Sequence, residues 1–347
     1  MQPSNIVFAY GQNKGSIARN EAIANMTTNT AIELEQLGVS IDTPISVDVT
    51  TFESSEVKPF ISGNVRDKDV FLFVDFNGEL HKAIYSFILT LQALQLAGVR
   101  STTVVAPYIP YLRQDRKDGG RVPVSSTVLI DNIKMYTTVK RIITVHMHCS
   151  QVEMAFASNP ALPYDHFPGR AIWRDFARER FAEVIKAGKL ILIDPDGGNP
   201  KEAKKLAKEL NVSENQIVCI NQTRSDGGKQ IFNITGPDVS GMTCLAVDDI
   251  IDTATTLSSA IKMLFSRGAA EVIACGTHAG FSTKKGITSY KRLGDTGAEV
   301  VVTDSLITKP HQWLKVVPLH PYLAHIIYQN VTDDGSVSQL IKEGLPK

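Results

Sequence analysis

Apolar positions in this chain come in short unbroken runs of β-branched residues, separated by longer stretches where they recur at helical spacing. Seven runs read as strands: Val70 to Phe76, Thr102 to Pro107, Arg141 to His148, Lys189 to Asp194, Thr243 to Asp249, Glu271 to His278 and Glu299 to Asp304. Because these runs are continuous rather than alternating, both faces of each sheet should be covered, as in parallel α/β folds. Lys201 to Leu210 and Thr255 to Ala269 have the period of helices, the second closed by Gly268. Strand and helix alternate throughout, so the expected class is α/β, with two βαβ halves in succession. Ala157 to Ala171 holds three prolines and no helical period, which makes it the expected connection between the halves.

Length and charge narrow the options without naming a chemistry. A chain of 347 residues can hold two domains, each with its own core. Lys+Arg and Asp+Glu both number 36, so no overall positive field points to nucleic acid or an anionic membrane. The most apolar helical stretch, Ile84 to Ala97, is interrupted by Ser86, Thr90, Gln92 and Gln95, and no basic segment followed by a long apolar one opens the chain. No membrane span is therefore expected. Cys149, Cys219, Cys244 and Cys275 stand singly in apolar runs, which fits reduced thiols and a cytoplasmic setting better than a zinc site or a disulfide frame.

Candidate chemistry gathers at strand ends, where open α/β sheets bind ligands. His148 follows one apolar run, Asp196 another, and Asp248 and Asp249 a third. Beyond that acidic pair come Asp252, Thr253, Thr255 and Thr256, a turn rich in hydroxyls at the start of a helix. Backbone N–H groups and hydroxyls at a helix N-terminus make a phosphate cradle, and the paired carboxylates would hold sugar hydroxyls or a magnesium ion. The plainer alternative makes Asp252 a helix N-cap and nothing more.

The stretch from Ala246 to Ser282, AVDDIIDTATTLSSAIKMLFSRGAAEVIACGTHAGFS, resembles the phosphoribosyl-diphosphate binding region of ribose-phosphate pyrophosphokinases. VVAPYIPYLRQDRK (Val104 to Lys117) is similar to their ATP-binding stretch, and the resemblance runs on through TTFESSE, TVHMHCSQ, DPDGG and GSVSQLI. It implies two successive phosphoribosyltransferase-like domains, each a mostly parallel sheet flanked by helices, at 1–160 and 161–325, with 326–347 a C-terminal helix on the first. It also implies roles. Arg113, Gln114 and Arg116 would bind ATP, together with Phe52 and Glu56 on a loop that reaches a neighbouring subunit, which makes a homo-oligomer, dimer or hexamer, the expected state. Asp248, Asp249, Asp252, Thr253, Thr255 and Thr256 would hold the ribose phosphate, His148 and Asp196 the Mg²⁺, and Arg224 and His148 would be catalytic. The implied reaction passes the diphosphate of ATP to a ribose 5-phosphate moiety.

Departures from the family pattern bear on that expectation. Gln222 stands where the family has a lysine two residues before Arg224, His146 where it has an aspartate, and Thr255 where it has a glycine. The segment Asp75 to Lys82 replaces a Ser- and Thr-rich one. Three readings follow: an enzyme acting on ribose 5-phosphate, the same transfer to a larger acceptor such as ADP-ribose, and a silent regulatory subunit.

Overall fold

A computed structural model describes residues 5–13, 16–195, 201–224, 230–332 and 335–346. In chain order the first elements are β1 (Ile6–Asn13), α1 (Ile17–Gln36), β2 (Asp42–Thr51), β3 (Val57–Ile61), β4 (Asp69–Phe73), α2 (Leu80–Leu96), β5 (Ser101–Val105), α3 (Ser125–Lys134), β6 (Val139–Val145), α4 (Glu153–Ala157) and β7 (Tyr164–Phe167). There follow α5 (Gly169–Arg180), α6 (Ala182–Lys186), β8 (Leu190–Asp194), α7 (Lys201–Leu210), β9 (Ile217–Arg224), β10 (Gln230–Thr235), β11 (Thr243–Ile251), α8 (Thr255–Ser266) and β12 (Glu271–Ala279). The last are β13 (Thr283–Lys284), β14 (Ile287–Thr288), α9 (Ser289–Gly294), β15 (Glu299–Thr303), β16 (Leu314–Val317), α10 (His320–Val331) and α11 (Val337–Glu343). Two compact units result. The first comprises the chain up to Pro168 with Ser305–Ile307 and everything from Pro318 on; the second comprises Gly169–Asp304 and Thr308–Val317.

Each unit is built on a seven-stranded sheet, β3-β2-β1-β4-β5-β6-β7 in the first and β10-β9-β8-β11-β12-β15-β16 in the second. Among the described residues of these two sheets only the edge pairs β2–β3 and β9–β10 are antiparallel, and the other neighbour pairs are parallel. Position for position the two sheets therefore have the same order and direction, although the residues that fill them show no repeat.

The apolar runs explain the layers. In the first unit Val7, Leu72, Val104 and Ile142 bury one sheet face under Leu91 and Leu94 of α2 and Ile130 and Ile133 of α3. Alternate residues of the same strands, Phe8, Phe71 and Phe73, are also buried, the Phe8 ring centroid lying 5.6 Å from that of Phe71 and 5.0 Å from that of Phe73. Each fully buried large side chain of this kind contributes roughly 1.5–3 kcal/mol. In the second unit Ile191, Ile193, Ala246, Val272 and Val300 pack under Ile261 and Leu264 of α8. Trp173 of α5 is also buried there and donates its indole N–H to Thr277 at 3.1 Å.

Several boundaries differ from the sequence expectation. The run Arg141 to His148 is a strand only as far as Val145, because His146 takes a left-handed conformation at φ 45° and turns the chain. β11 instead runs beyond Asp249 to Ile251. A Cβ at Gly276 of the neighbouring strand would stand 2.4 Å from the Ile251 side chain, so glycine there leaves that side chain its room. Helix α8 stops at Ser266, two residues before Gly268 at φ 86°. The proline-rich connection is not all loop: Tyr164–Phe167 forms β7 beside β6, and α5 begins at Gly169. Among the described residues no helix is long and apolar enough to cross a membrane.

Candidate active site

In the second unit the acidic and hydroxyl residues fall on one strand-to-helix connection. Asp248 and Asp249 lie near the end of β11, half-buried, with the Asp249 N–H donating to the Asp248 carboxylate at 2.8 Å. Asp252 to Ala254 make the turn, and Thr255 and Thr256 open α8. Ala254, not Asp252, is the N-cap residue, and it sits in the left-handed region at φ 53°, ψ 18°. A Cβ-bearing residue held there costs on the order of 1–2 kcal/mol, the kind of local strain that clusters at ligand-binding turns. Thr253 and Thr255 hydroxyls are 3.3 Å apart, so the threonine in the family's glycine position crowds the same turn as its neighbour.

What orients the turn comes from a segment that carries no local signal in the sequence. The Ile251 carbonyl accepts from the Phe281 N–H at 2.9 Å, and the Asp252 carbonyl from the Ser282 N–H at 3.2 Å and the Ser289 hydroxyl at 2.6 Å. Arg292 of α9 donates to the Thr253 carbonyl at 3.2 Å. Ser289 and Arg292 escape sequence reasoning because they lie tens of residues downstream and act on backbone atoms; Phe281 lies within the stretch that carries the resemblance, but it acts only through its backbone N–H.

In the first unit the residues matched to ATP binding lie on loops at the ends of β2, β5 and β6. Phe52 and Glu56 sit on the β2–β3 hairpin, both exposed, where Ser54 donates to Glu56 at 2.8 Å. Arg113, Gln114 and Arg116 lie exposed between β5 and α3. Gln114 is tied down through Ser125, whose hydroxyl donates to its amide oxygen at 2.6 Å. His148 is exposed on the turn after β6, and that turn is anchored by the Met147 N–H donating to His166 at 3.0 Å. The arginine loop and the histidine turn meet through Cys149, whose thiol donates to Asp115 at 2.9 Å. That hydrogen bond, with the charges of His148 and Arg116, holds the Asp115 carboxyl below its ordinary range. Burial and the same carboxylate push the Cys149 thiol up. All four cysteines are free thiols.

Asp196 lies outside the described residues, as do the side chains of Gln222 and Arg224, whose backbone forms the end of β9. Among the described residues no group of three or more His, Cys, Asp or Glu is arranged to hold a metal. The Asp248–Asp249 pair still suits Mg²⁺, which takes one or two carboxylates, keeps several waters and completes its shell with substrate phosphates.

Comparison with known proteins places this geometry in a family. Residues 23–136 match the profile of the N-terminal domain of ribose phosphate pyrophosphokinase, and residues 170–311 that of the phosphoribosyl transferase domain. A ribose-phosphate pyrophosphokinase of Hyphomonas neptunium is 32% identical over 298 residues, which cover 84% of this chain and 90% of that protein. The Bifidobacterium longum protein of the same name is 32% identical over 310 residues, covering 88% and 87%. The crystal structure of phosphoribosylpyrophosphate synthetase from Mycobacterium smegmatis superimposes with a TM-score of 0.77 at 27% identity, covering 94% of this chain and 100% of that one. The fold is thus the pair of phosphoribosyltransferase-like, mostly parallel sheets expected from the sequence.

Proposed function

Because the chain belongs to the ribose-phosphate pyrophosphokinase family, we propose that it transfers the β,γ-diphosphate of ATP to the anomeric hydroxyl of ribose 5-phosphate and releases AMP. The observation that carries this reading is the β11–α8 connection. It joins three carboxylates, three threonines and a helix N-terminus in nine residues, Asp248 to Thr256. The first-turn N–H groups of a helix have no intrahelical acceptor, and its dipole favours an anion there, which suits the 5-phosphate. The carboxylates of Asp248 and Asp249 would accept from the ribose hydroxyls and orient the anomeric oxygen.

Arg113 and Arg116 supply guanidinium groups for the triphosphate, and Gln114 and Phe52 supply an amide and an aromatic face for the base. Phe52, half exposed, is available to a neighbouring subunit, in keeping with a homo-oligomer. In the reaction a bond forms between the anomeric oxygen and the β-phosphorus, and the bond from that phosphorus to the α,β-bridging oxygen breaks. The hydroxyl proton is lost and AMP leaves. Such transfers depend on alignment and charge neutralisation more than on covalent help. Mg²⁺, held by His148 and Asp196 or by the acidic pair, would neutralise the phosphate oxygens. Arg224 would meet the charge that develops on the transferred group. Single, unpaired cysteines fit a cytoplasmic setting.

The remodelled acceptor side, with Thr255 in the family's glycine position and Asp75 to Lys82 in place of a Ser- and Thr-rich segment, favours a second reading, in which the acceptor is a larger ribose phosphate such as ADP-ribose. Both readings are tested by incubating the protein with Mg²⁺, ATP and a panel of ribose-phosphate acceptors and measuring the nucleotide released. AMP formed only when an acceptor is present supports the transfer, and the acceptor giving the highest kcat/KM decides between the readings. No turnover with any acceptor would leave a silent subunit as the answer.

A further inference from the structure

We propose that Ser289 and Arg292 are positioning residues of the ribose-phosphate cradle, holding its carbonyls from behind so that its peptide N–H groups face the acceptor phosphate. The inference rests on the pyrophosphokinase reading above. Its ground is the run of three successive carbonyls, Ile251, Asp252 and Thr253, all engaged from the segment Phe281 to Arg292. A trans peptide is planar with its N–H opposed to its C=O. Fixing those three oxygens on one side therefore directs the N–H groups of Asp252, Thr253 and Ala254 to the other. Ala254, left-handed beside right-handed neighbours in α8, completes the kind of backbone concavity that binds anions.

The two side chains are built for this task and are themselves held. Ser289 is fully buried, and its single hydroxyl proton is shared between the carbonyls of Asp252 and Ser282. Arg292 donates to the Thr253 carbonyl and also to the carbonyls of Ile287 at 2.6 Å and Lys284 at 2.5 Å, gripping the β13–β14 hairpin. One guanidinium thus ties hairpin, helix α9 and cradle together. These three contacts are all to backbone oxygens, so its cationic charge also stands behind the turn that would receive the phosphate. Arginine's several donors in a fixed fork make this possible where a single amide would reach only one or two carbonyls.

The test uses Arg292→Ala, Arg292→Lys and Ser289→Ala in the full chain, with ribose 5-phosphate binding measured by calorimetry and both KM values by AMP release. Loss of a charge-assisted hydrogen bond in Arg292→Ala should weaken ribose 5-phosphate binding and raise its KM roughly tenfold, with the KM for ATP unchanged and kcat within about threefold. Ser289→Ala should move the same constant in the same direction by less, and Arg292→Lys should recover most of the loss. Equal loss of ATP and ribose 5-phosphate affinity, without recovery by lysine, would show a general structural role and overturn the inference. So would variants that bind ribose 5-phosphate as the unaltered protein does. If the unaltered protein binds no ribose 5-phosphate, the pyrophosphokinase reading fails first and this inference with it.

Discussion

The same position in two sheets of one order carries two different pieces of chemistry. β4 and β11 each stand fourth in a seven-stranded sheet, and each leads into a helix, α2 or α8. After β4 the acidic residue is Asp75. Arg19 of α1 pairs with its carboxylate and donates to its carbonyl at 2.8 Å, and the Asn77 N–H donates to the same side chain at 2.8 Å. Arg19 and Asp75 line a cavity together with Val47, Leu72 and Phe87, a mostly apolar setting in which the pair closes on itself. After β11 the arginine of the neighbouring segment, Arg292, addresses backbone carbonyls instead. The two arginines thus differ in what they bind, a carboxylate and its carbonyl after β4 and three backbone carbonyls after β11, and on the proposed reading only the second turn is a ligand cradle.

The largest expected effect comes from removing charge at the edge hairpin of the second unit. If Arg224 faces the transferred diphosphate, as the proposed function has it, Arg224→Ala should lower kcat on the order of a hundredfold or more while changing the KM for ATP far less. The equivalent hairpin of the first unit carries Phe52 and Glu56, and Phe52→Ala should act the opposite way, on the KM for ATP first. Steady-state kinetics of both variants would show the split.

A direct comparison of the two turns comes next. Asp249→Asn should raise the KM for ribose 5-phosphate by about tenfold with little loss of ATP affinity, since it removes a charged acceptor from the proposed cradle. Equal loss of both affinities would mean that the acidic pair organises a metal shared by the two substrates. Asp75→Asn should instead leave both KM values near those of the parent and lower stability by about 2–3 kcal/mol, because Arg19 is then left mostly buried without its counter-charge. Denaturant midpoints and kinetics on the same two proteins would decide whether one turn is functional and the other structural.

The smallest effect separates the units by pH. His320 and His325 of α10 are each held below the ordinary histidine range, chiefly by burial, although Glu33 of α1 acts the other way. Between the depressed folded value and the ordinary 6.5 the unfolded chain binds more protons than the folded one, so stability rises with pH across that window. The contribution is complete above pH 6.5 and is lost as pH falls through the folded value. Unfolding of the first unit, where α10 packs on α1, should therefore become easier below pH 6.5, and His325→Gln should flatten the dependence. Thermal midpoints from pH 7.5 to 5 in parent and variant would check it.

Much of the fold was legible because covered parallel strands need continuous apolar runs. Leu190–Asp194, Thr243–Ile251 and Glu271–Ala279 all appear within two residues of the expected ends. The misreadings have local causes. His146 breaks β6 by adopting a left-handed conformation that its residue type does not announce, and β7 was hidden among prolines that permit a short edge strand. The acidic turn was legible as a cluster of unusual residues at a strand end. Its bracing was not, because Ser289 and Arg292 act through hydrogen bonds to carbonyls, which every residue possesses. Cys149 and Asp115 were each visible in the sequence, but their hydrogen bond joins loops that only the sheet brings together.

Whether the Asp248–Asp249 pair of β11 and the helix start that follows it align an acceptor for diphosphate rather than phosphate transfer is decided by phosphorus NMR of the products. With Mg²⁺, ATP and ribose 5-phosphate, the expected signals are those of AMP and of a sugar that carries a diphosphate at its anomeric oxygen beside the original 5-phosphate. Formation of ADP with a sugar bearing a single new phosphate would refute diphosphate transfer.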